Sequence, residues 1–98
     1  MRYLIIYDIT DDNLRLRVAE TLKDYGLVHI QYSAFIGSLR RDKLNSLIVD
    51  LRRLIGESVE NVQIYPLCNA CFRGRKVIGK PKRYRLDEEA EKPKVAYF

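Results

Sequence analysis

A short acidic segment follows the first apolar run of the chain and carries its most chemically suggestive side chains. The segment reads YDITDD from Tyr7 onward, with carboxylates at Asp8, Asp11 and Asp12. Carboxylate oxygens are the protein ligands that Mg²⁺ prefers, and Mg²⁺ held near a phosphodiester promotes its hydrolysis. Aspartates also cap helices, because they accept hydrogen bonds from the first backbone N–H groups. The spacing is therefore compatible with a metal site, a helix cap or both.

The position of each aspartate separates these interpretations. Asp8 ends an otherwise apolar segment, where a carboxylate is costly to bury without a partner. Strand ends in α/β proteins are common ligand sites, so Asp8 is either a functional acid or one bonded to the next helix. Asp11 and Asp12 stand directly before an apolar helical pattern, which favours helix caps. Their alternative role is in the outer coordination sphere of a metal.

Two arginines follow in the first half of that helix. Arg15 and Arg17 lie about 200° apart around the helix axis, so they cannot serve the same contact. One of them can pair with an aspartate, since Asp11 stands four residues before Arg15. The other can reach toward a phosphate, which a guanidinium binds well.

A second group of candidates lies between residues 29 and 35. Ser33 and Phe35 are on the opposite side of their extended segment from Ala34 and Ile36. That side is the less apolar one, so Phe35 is predicted to be a dimer contact, the wall of a site or ordinary core. His29 is the single histidine, and we interpret it as a polar surface residue rather than a general base.

Two cysteines, Cys68 and Cys71, have C-x-x-C spacing. One such pair supplies only two of the ligands that a structural zinc site needs. A redox motif of this type normally opens a helix, and the following FRGRK is not predicted to be one. Metal and redox roles are therefore disfavoured, and without a secretion signal the pair does not indicate a disulfide framework.

The size and charge of the chain limit its function classes. Its 98 residues make one domain, and an apolar fraction of 47% is typical of a folded globule. No apolar stretch approaches the roughly 20 residues that span a bilayer, and no signal peptide is evident, so a cytoplasmic protein is expected. The net charge is +5, and residues 73–85 include seven basic side chains and no acidic one. This basic arm suits a phosphate backbone, with a merely solubilising face as the alternative.

The apolar periodicity predicts two helices that alternate with short strands. Strands are predicted over residues 2–8, 61–67 and 76–79, and helices over residues 11–25 and 39–55, ending at Gly26 and Gly56. Ser38 is the predicted cap of the second helix, and residues 27–37 form either one long strand or two short ones. The result is a single sandwich with both helices on one sheet face.

This arrangement leaves two apolar surfaces without a cover. Both faces of the first strand are apolar, whereas the helices cover only one of them, which indicates a partner subunit on the other. The C-terminal residues 95–98 are also apolar and are predicted to add a strand to a sheet edge. The intervening arm is long enough for that edge to belong to a second copy of the chain.

The segment YLIIYDITDDNLRLRVAETLKDYGLVHIQYSAFIGSL, residues 3–39, resembles the N-terminal signature of the second CRISPR-associated adaptation protein, the Cas-two family of small endonucleases. The residues that carry the resemblance are Tyr7, Asp8, Asp11, Asp12, Arg15, Arg17, Gly26, Gln31, Ser33, Phe35 and Gly37. The close match covers roughly the first 40 residues, and the rest agrees in length and element order. One departure is His29, where the family has a basic residue near the start of its second strand.

The resemblance implies an α+β, ferredoxin-like βαββαβ fold, with residues 27–37 split into two strands. It implies a homodimer in which residues 1–80 form the domain and residues 81–98 an arm whose strand packs on the partner. Asp8 is then the catalytic and Mg²⁺-binding residue, contributed once by each subunit at the interface. The supporting or nucleic-acid-binding residues are then Tyr7, Arg15, Arg17, Ser33 and Phe35, with Asp11 and Asp12 as caps or in the outer coordination sphere.

The leading hypothesis is a Mg²⁺-dependent endonuclease that acts on RNA or DNA in spacer acquisition, together with the CRISPR adaptation integrase subunit. The alternatives are a non-catalytic duplex-DNA scaffold that bridges the integrase, a toxin-like ribonuclease, and a small-metabolite or metal-binding module of the same fold. The residues do not distinguish RNA from DNA, and no membrane partner is expected.

Overall fold

Six strands and three helices follow one another in the computed structural model, which describes residues 1–79 and 94–96. They are β1 (Arg2–Asp8), α1 (Asp12–Asp24), β2 (Val28–Gln31), β3 (Ala34–Ser38), α2 (Arg41–Ile55), β4 (Asn61–Leu67), α3 (Asn69–Arg73), β5 (Lys76–Ile78) and β6 (Lys94–Ala96). Residues 27–37 therefore form two strands, joined by a turn at Tyr32 and Ser33. The described residues contain no helix with the length and apolar character needed to cross a bilayer.

The first four strands form one antiparallel sheet in the order β2-β3-β1-β4. With α1 and α2 between them, the order along the chain is βαββαβ, which is the ferredoxin-like fold. The long strand β1 is central and pairs along its length with β4, from Arg2 opposite Leu67 to Asp8 opposite Asn61. Pro66 lies in β4, an edge strand, which is where sheets tolerate proline.

The core lies between one sheet face and the two long helices. Ile5 and Tyr7 of β1 are buried on that face, and the apolar stripes of the helices cover them. The helix residues of this cluster are Leu14, Val18, Leu22, Leu47 and Leu51. Phe35 is fully buried in the same cluster, because it lies opposite Ile5 in the β1–β3 register. Core packing therefore explains Phe35, and within the chain it is neither an exposed dimer contact nor the wall of an open site.

Helix α1 has the ends that its sequence predicts. Asp11 is the N-cap, and its side chain accepts a hydrogen bond from the backbone N–H of Asn13 at 3.3 Å. At the other end Gly26 adopts a φ of 84°, which side chains disfavour. Its N–H donates to the Lys23 carbonyl at 2.9 Å, and Leu27 N–H donates to Leu22 at 3.1 Å. This pair of bonds is the Schellman arrangement that ends a helix at glycine.

Helix α2 begins at Arg41, two residues later than the apolar pattern predicts. The predicted cap Ser38 instead pairs with Arg2 as the last residue of β3. Leu39 is buried, and its N–H donates to the Met1 carbonyl at 3.0 Å, so this segment continues along β1 before turning. The N-cap is Arg40, whose side chain makes no capping hydrogen bond and instead pairs with Asp42 at 3.3 Å. Gly56 ends the helix as predicted.

The C-x-x-C segment opens a short helix, α3, so the prediction that FRGRK is not helical is wrong for Phe72 and Arg73 and correct for residues 74–76. Cys68 is the N-cap of α3, and its sulfur accepts a hydrogen bond from the Cys71 N–H at 3.4 Å. Phe72 of this helix is buried, and the guanidinium carbons of Arg2 and Arg75 lie 3.9 and 3.5 Å from its ring centroid. Because Arg2 and Leu4 share one face of β1, α3 covers the start of the face opposite the long helices.

The predicted C-terminal strand is present as β6, over Lys94–Ala96. It pairs in parallel with β5 of the same chain, in a separate sheet of two strands. Several predictions lie outside the described residues: the basic arm beyond residue 79, the acidic run at residues 87–91, and the last two residues of the apolar C-terminal segment. Exchange of this strand with a second copy stays a prediction.

Candidate functional site

One end of the sheet collects most of the candidate residues. The carboxyl end of β1 lies beside the β2–β3 turn, where the Tyr7 N–H donates to the Ser33 carbonyl at 3.0 Å. The start of β4 is on the other side, with Asn61 opposite Asp8. The loop from β1 into α1 leaves from the same place. The fold therefore brings Tyr7, Asp11, Asp12, Arg15 and Ser33 to the end of the sheet that carries Asp8.

Asp8 has an exposed and unengaged carboxylate. Within residues 1–79 and 94–96, this side chain accepts no hydrogen bond and forms no ion pair. The interpretation in which Asp8 bonds to the following helix is thus not supported. Strand alternation places Asp8 on the same face as Leu4 and Ile6, away from the long helices. A carboxylate in this position is available to a cation or to a second molecule.

Tyr7 supports this end from inside the core. Its side chain is 2% exposed, and its hydroxyl donates to the Tyr32 carbonyl at 3.2 Å. Burial raises the pKa of the Tyr7 hydroxyl, and the nearby Arg15 offsets only part of this effect. The hydroxyl therefore stays protonated and acts as a fixed donor to the turn, rather than as a base at the surface.

Asp11 and Asp12 have different partners, and both belong to the helix. Asp11 is the cap, while Asp12 forms an ion pair with Arg15 one turn later. Arg15 also donates to the Ile9 carbonyl at 3.1 Å, so it holds the loop between β1 and α1. The predicted pairing of one arginine with an aspartate is confirmed, with Asp12 rather than Asp11 as the partner.

Arg17 lies in a different place, as its helical spacing predicts. It lines an open groove of about 510 Å³ between α1 and α2, together with Tyr25, Asp50 and Arg53. The Tyr25 hydroxyl donates to Asp50 at 2.6 Å across this groove, which raises the pKa of Tyr25. Arg17 is exposed and remains the candidate for a phosphate contact on the helical side.

Sequence reasoning missed Glu60, the residue just before β4. Its Oε2 accepts from the Thr10 N–H at 2.7 Å, the Thr10 hydroxyl at 3.0 Å and the Asp11 N–H at 3.0 Å. These bonds lower the pKa of Glu60, the one from Asp11 most strongly. Through these hydrogen bonds Glu60 links the loop that follows Asp8 to the start of β4. The contact joins residues about 50 positions apart, and no local pattern signals it.

The donor set of one chain is too small for a complete metal site. Among the described residues, no three acidic, histidine or cysteine side chains converge in a way that could hold an ion. Asp8 fits the role of a single oxygen ligand, because its carboxylate is exposed and has no hydrogen-bond or ionic partner in the described part of the chain. A cation here would need water, a phosphate or a second protein molecule for its remaining ligands.

Comparison with known proteins extends the resemblance beyond the first 40 residues. The family model described as CRISPR associated protein Cas2 matches residues 1–75. A protein from Korarchaeum cryptofilum named CRISPR-associated endoribonuclease Cas2 is 40% identical over 82 residues, which is 84% of this chain and 88% of its own. One of the same name from Desulforudis audaxviator is 39% identical over 97 residues, covering 99% and 90% of the two chains.

A solved structure agrees with the fold. The crystal structure of a hypothetical protein, TT1823 from Thermus thermophilus, superimposes with a TM-score of 0.72 at 31% identity. The match covers 86% of this chain and 96% of that one. The family model and both named relatives span most of the chain, including every residue of the candidate site described above. The chain therefore belongs to the CRISPR associated protein Cas2 family.

Proposed function

We propose that this protein is a metal-dependent endonuclease that hydrolyses phosphodiesters of RNA or DNA during CRISPR spacer acquisition. The observation that carries the proposal is the exposed Asp8 carboxylate at the end of the central strand, with no partner among the described residues. The names of the relatives, which are called CRISPR-associated endoribonucleases, support the same activity. RNA and DNA both present the phosphodiester that such a site would act on.

The charge at this end of the sheet supports a need for a cation. Asp8, Asp11, Asp12 and Glu60 all lie at this end of the sheet, and Arg15 is already paired with Asp12. A phosphate backbone would be repelled there unless a divalent ion offset the negative charge. When bound, Mg²⁺ supplies charge that polarises a phosphodiester and activates water for in-line attack. Asp8 provides the protein ligand, and Arg17 provides a separate phosphate contact.

Two copies of the chain would complete this sparse site. The face that carries Asp8 has exposed apolar side chains on both the central strand β1 and the edge strand β4. Ile6 of β1 is 37% exposed and Tyr65 of β4 is 45% exposed. Packing two such faces together would bury apolar surface and bring two Asp8 side chains to one seam. We therefore propose a homodimer, in which the C-terminal strand is exchanged between subunits. Sedimentation should give a dimer, and Ile6→Arg should shift it to a monomer.

The test of the nuclease is the substitution Asp8→Asn. The variant should lose cleavage of RNA and DNA panels in Mg²⁺. Its free energy of unfolding should stay within about 0.5 kcal/mol of wild type, because the exposed carboxylate has no bonded partner within residues 1–79 and 94–96. Wild type with a chelator should be equally inactive. Cleavage that persists in a parallel preparation of Asp8→Asn would overturn the proposal, since it would come from a contaminant or another site.

A second candidate function is a DNA-binding scaffold that bridges the adaptation integrase without catalysis. It is favoured by the small ligand set, since the described residues contain no cluster of three metal-binding side chains. The basic residues of the chain would suffice for backbone contacts to duplex DNA. If Asp8→Asn abolishes cleavage by purified protein but spacer acquisition in cells continues, the scaffold is the normal role.

A further inference from the structure

Tyr32 is an exposed aromatic residue beside the candidate site. It lies in the β2–β3 turn and is 73% exposed, more than any other aromatic side chain among the described residues. The turn is at the same end of the sheet as Asp8, since its next residue, Ser33, accepts the hydrogen bond from the Tyr7 N–H.

The backbone of Tyr32 is held in place by the core. Its carbonyl accepts hydrogen bonds from the Tyr7 hydroxyl at 3.2 Å and from His29 Nε2 at 3.1 Å. The His29 ring is itself stacked on Phe35, with centroids 4.4 Å apart and planes 3° from parallel. Because Phe35 is fully buried, the turn is anchored through two side chains to the centre of the domain. The exposed ring therefore stands on a rigid support rather than on a loose loop.

The ring of Tyr32 also has a cation beside it. The guanidinium carbon of Arg15 lies 5.4 Å from the ring centroid, within the range of a cation–π contact. Arg15 is held by Asp12 and by the Ile9 carbonyl, so its position is set independently of Tyr32. It covers only part of the ring, because the residue remains 73% exposed. The ring lies on the side of α1, and a partner on the Asp8 face would leave it accessible.

We propose that Tyr32 is a stacking platform for one unpaired nucleobase, at the same end of the sheet as Asp8, where the backbone of the strand would be cleaved. The inference rests on the proposed function and adds a substrate preference to it. Every base offers a π face, so the platform would tolerate any sequence. Bases in a duplex are already stacked on both sides, whereas an unpaired base is available. The platform would thus favour single strands or locally unpaired segments over intact duplex.

The test measures stacking and affinity separately. All proteins carry Asp8→Asn so that oligonucleotides stay intact, and each single strand contains one 2-aminopurine, whose fluorescence falls when it stacks. Tyr32→Phe should retain both quenching and affinity. Tyr32→Leu, which keeps apolar bulk without a π face, and Tyr32→Ala should lose the quenching and bind single strands roughly tenfold to a hundredfold more weakly. The affinity for duplex of the same sequence should not change, and neither should the salt dependence.

Two results would overturn the inference. One is unchanged quenching in Tyr32→Leu, and the other is an equal loss of affinity for single strand and duplex. The substitutions should not unfold the turn, because its hydrogen bonds use the Tyr32 carbonyl, and thermal unfolding of each variant checks this. The nuclease proposal is tested separately, by comparing cleavage by the wild type and by Asp8→Asn. The binding assay measures no cleavage, so either proposal can fail without the other.

Discussion

The backbone N–H of Asp11 donates a 3.0 Å hydrogen bond to the carboxylate of Glu60, which lies 49 positions further along the chain. The same carboxylate oxygen accepts from both donors of Thr10. Glu60 immediately precedes Asn61, the residue that pairs with Asp8 across the sheet. The loop that leaves Asp8 is therefore tied back to the strand beside Asp8. These bonds position the start of α1, and none of them involves the Asp8 side chain.

Replacing Glu60 by Gln should make the stability of the protein vary less with pH in the acid range. The pKa of Glu60 is lowered in the folded state, so its stabilising effect is complete above the ordinary value of 4.5 and is lost as the pH falls through the lower folded-state pKa. Glu60→Gln should melt at a lower temperature than wild type at neutral pH, and the difference should vanish in strong acid. Circular dichroism melts across this range measure the effect.

A suitable control for Glu60 is Glu57, an exposed acid in the same connection that forms no hydrogen bond or ion pair among the described residues. Glu57→Gln should leave the melting temperature unchanged at both ends of the pH range. Amide exchange at Thr10 and Asp11 should be faster in Glu60→Gln only. A melting difference that is the same in acid and at neutral pH would contradict the role assigned to the Glu60 carboxylate.

Substitutions of the α1 N-cap Asp11 should distinguish the effect of its capping hydrogen bond from the effect of its negative charge. Asp11→Ala removes the acceptor for the Asn13 N–H and should cost about 1 kcal/mol of unfolding free energy, the typical loss for an N-cap. Asp11→Asn keeps an acceptor and should be close to wild type. Denaturant unfolding gives these values. If both substitutions were equally destabilising, the negative charge near the helix terminus, rather than the cap bond, would be the main contribution.

The regular elements were predictable because their residues follow local periodicities. The stripe of Leu14, Val18 and Leu22 defines α1, and Gly26 ends it through a conformation that other residues avoid. The alternating faces of β1 were readable in the same way. The family signature also identified the end of the sheet that carries Asp8 and the Asp12–Arg15 ion pair, since many of its carrying residues lie there.

The features that sequence reasoning missed depend on contacts between distant segments. Helix α2 starts late because Leu39 bonds to Met1 across the sheet, which no local pattern encodes. Glu60 and Tyr32 have ordinary residue types for a loop and a turn, and only the folded chain brings them to the end of the sheet that carries Asp8. Phe35 was ambiguous because the face it occupies has few apolar residues in its own strand, and the helices supply the rest of its surroundings.

Phe35 variants should change function only through folding of the domain. Phe35→Ala leaves a large cavity and should cost about 3–5 kcal/mol, which is comparable to the whole stability of a small domain. Phe35→Leu should lose less and remain folded. Activity per folded molecule, from cleavage rates and the folded fraction, should match wild type in Phe35→Leu. A fully folded Phe35→Leu protein that no longer binds nucleic acid would instead place this residue in the site.

The two cysteines should differ in reactivity, although both are exposed. The hydrogen bond from the Cys71 N–H lowers the pKa of the Cys68 thiol, whereas the neighbouring Cys68 raises the pKa of Cys71. Because the thiolate is the reactive form, Cys68 should be alkylated first, and at a lower pH than Cys71. Limiting iodoacetamide with peptide mass spectrometry gives the two rates. Unfolding in urea should make the two alkylation rates equal, and Cys68→Ser should increase the alkylation rate of Cys71. Faster labelling of Cys71 than of Cys68 in the folded wild type would contradict the α3 geometry.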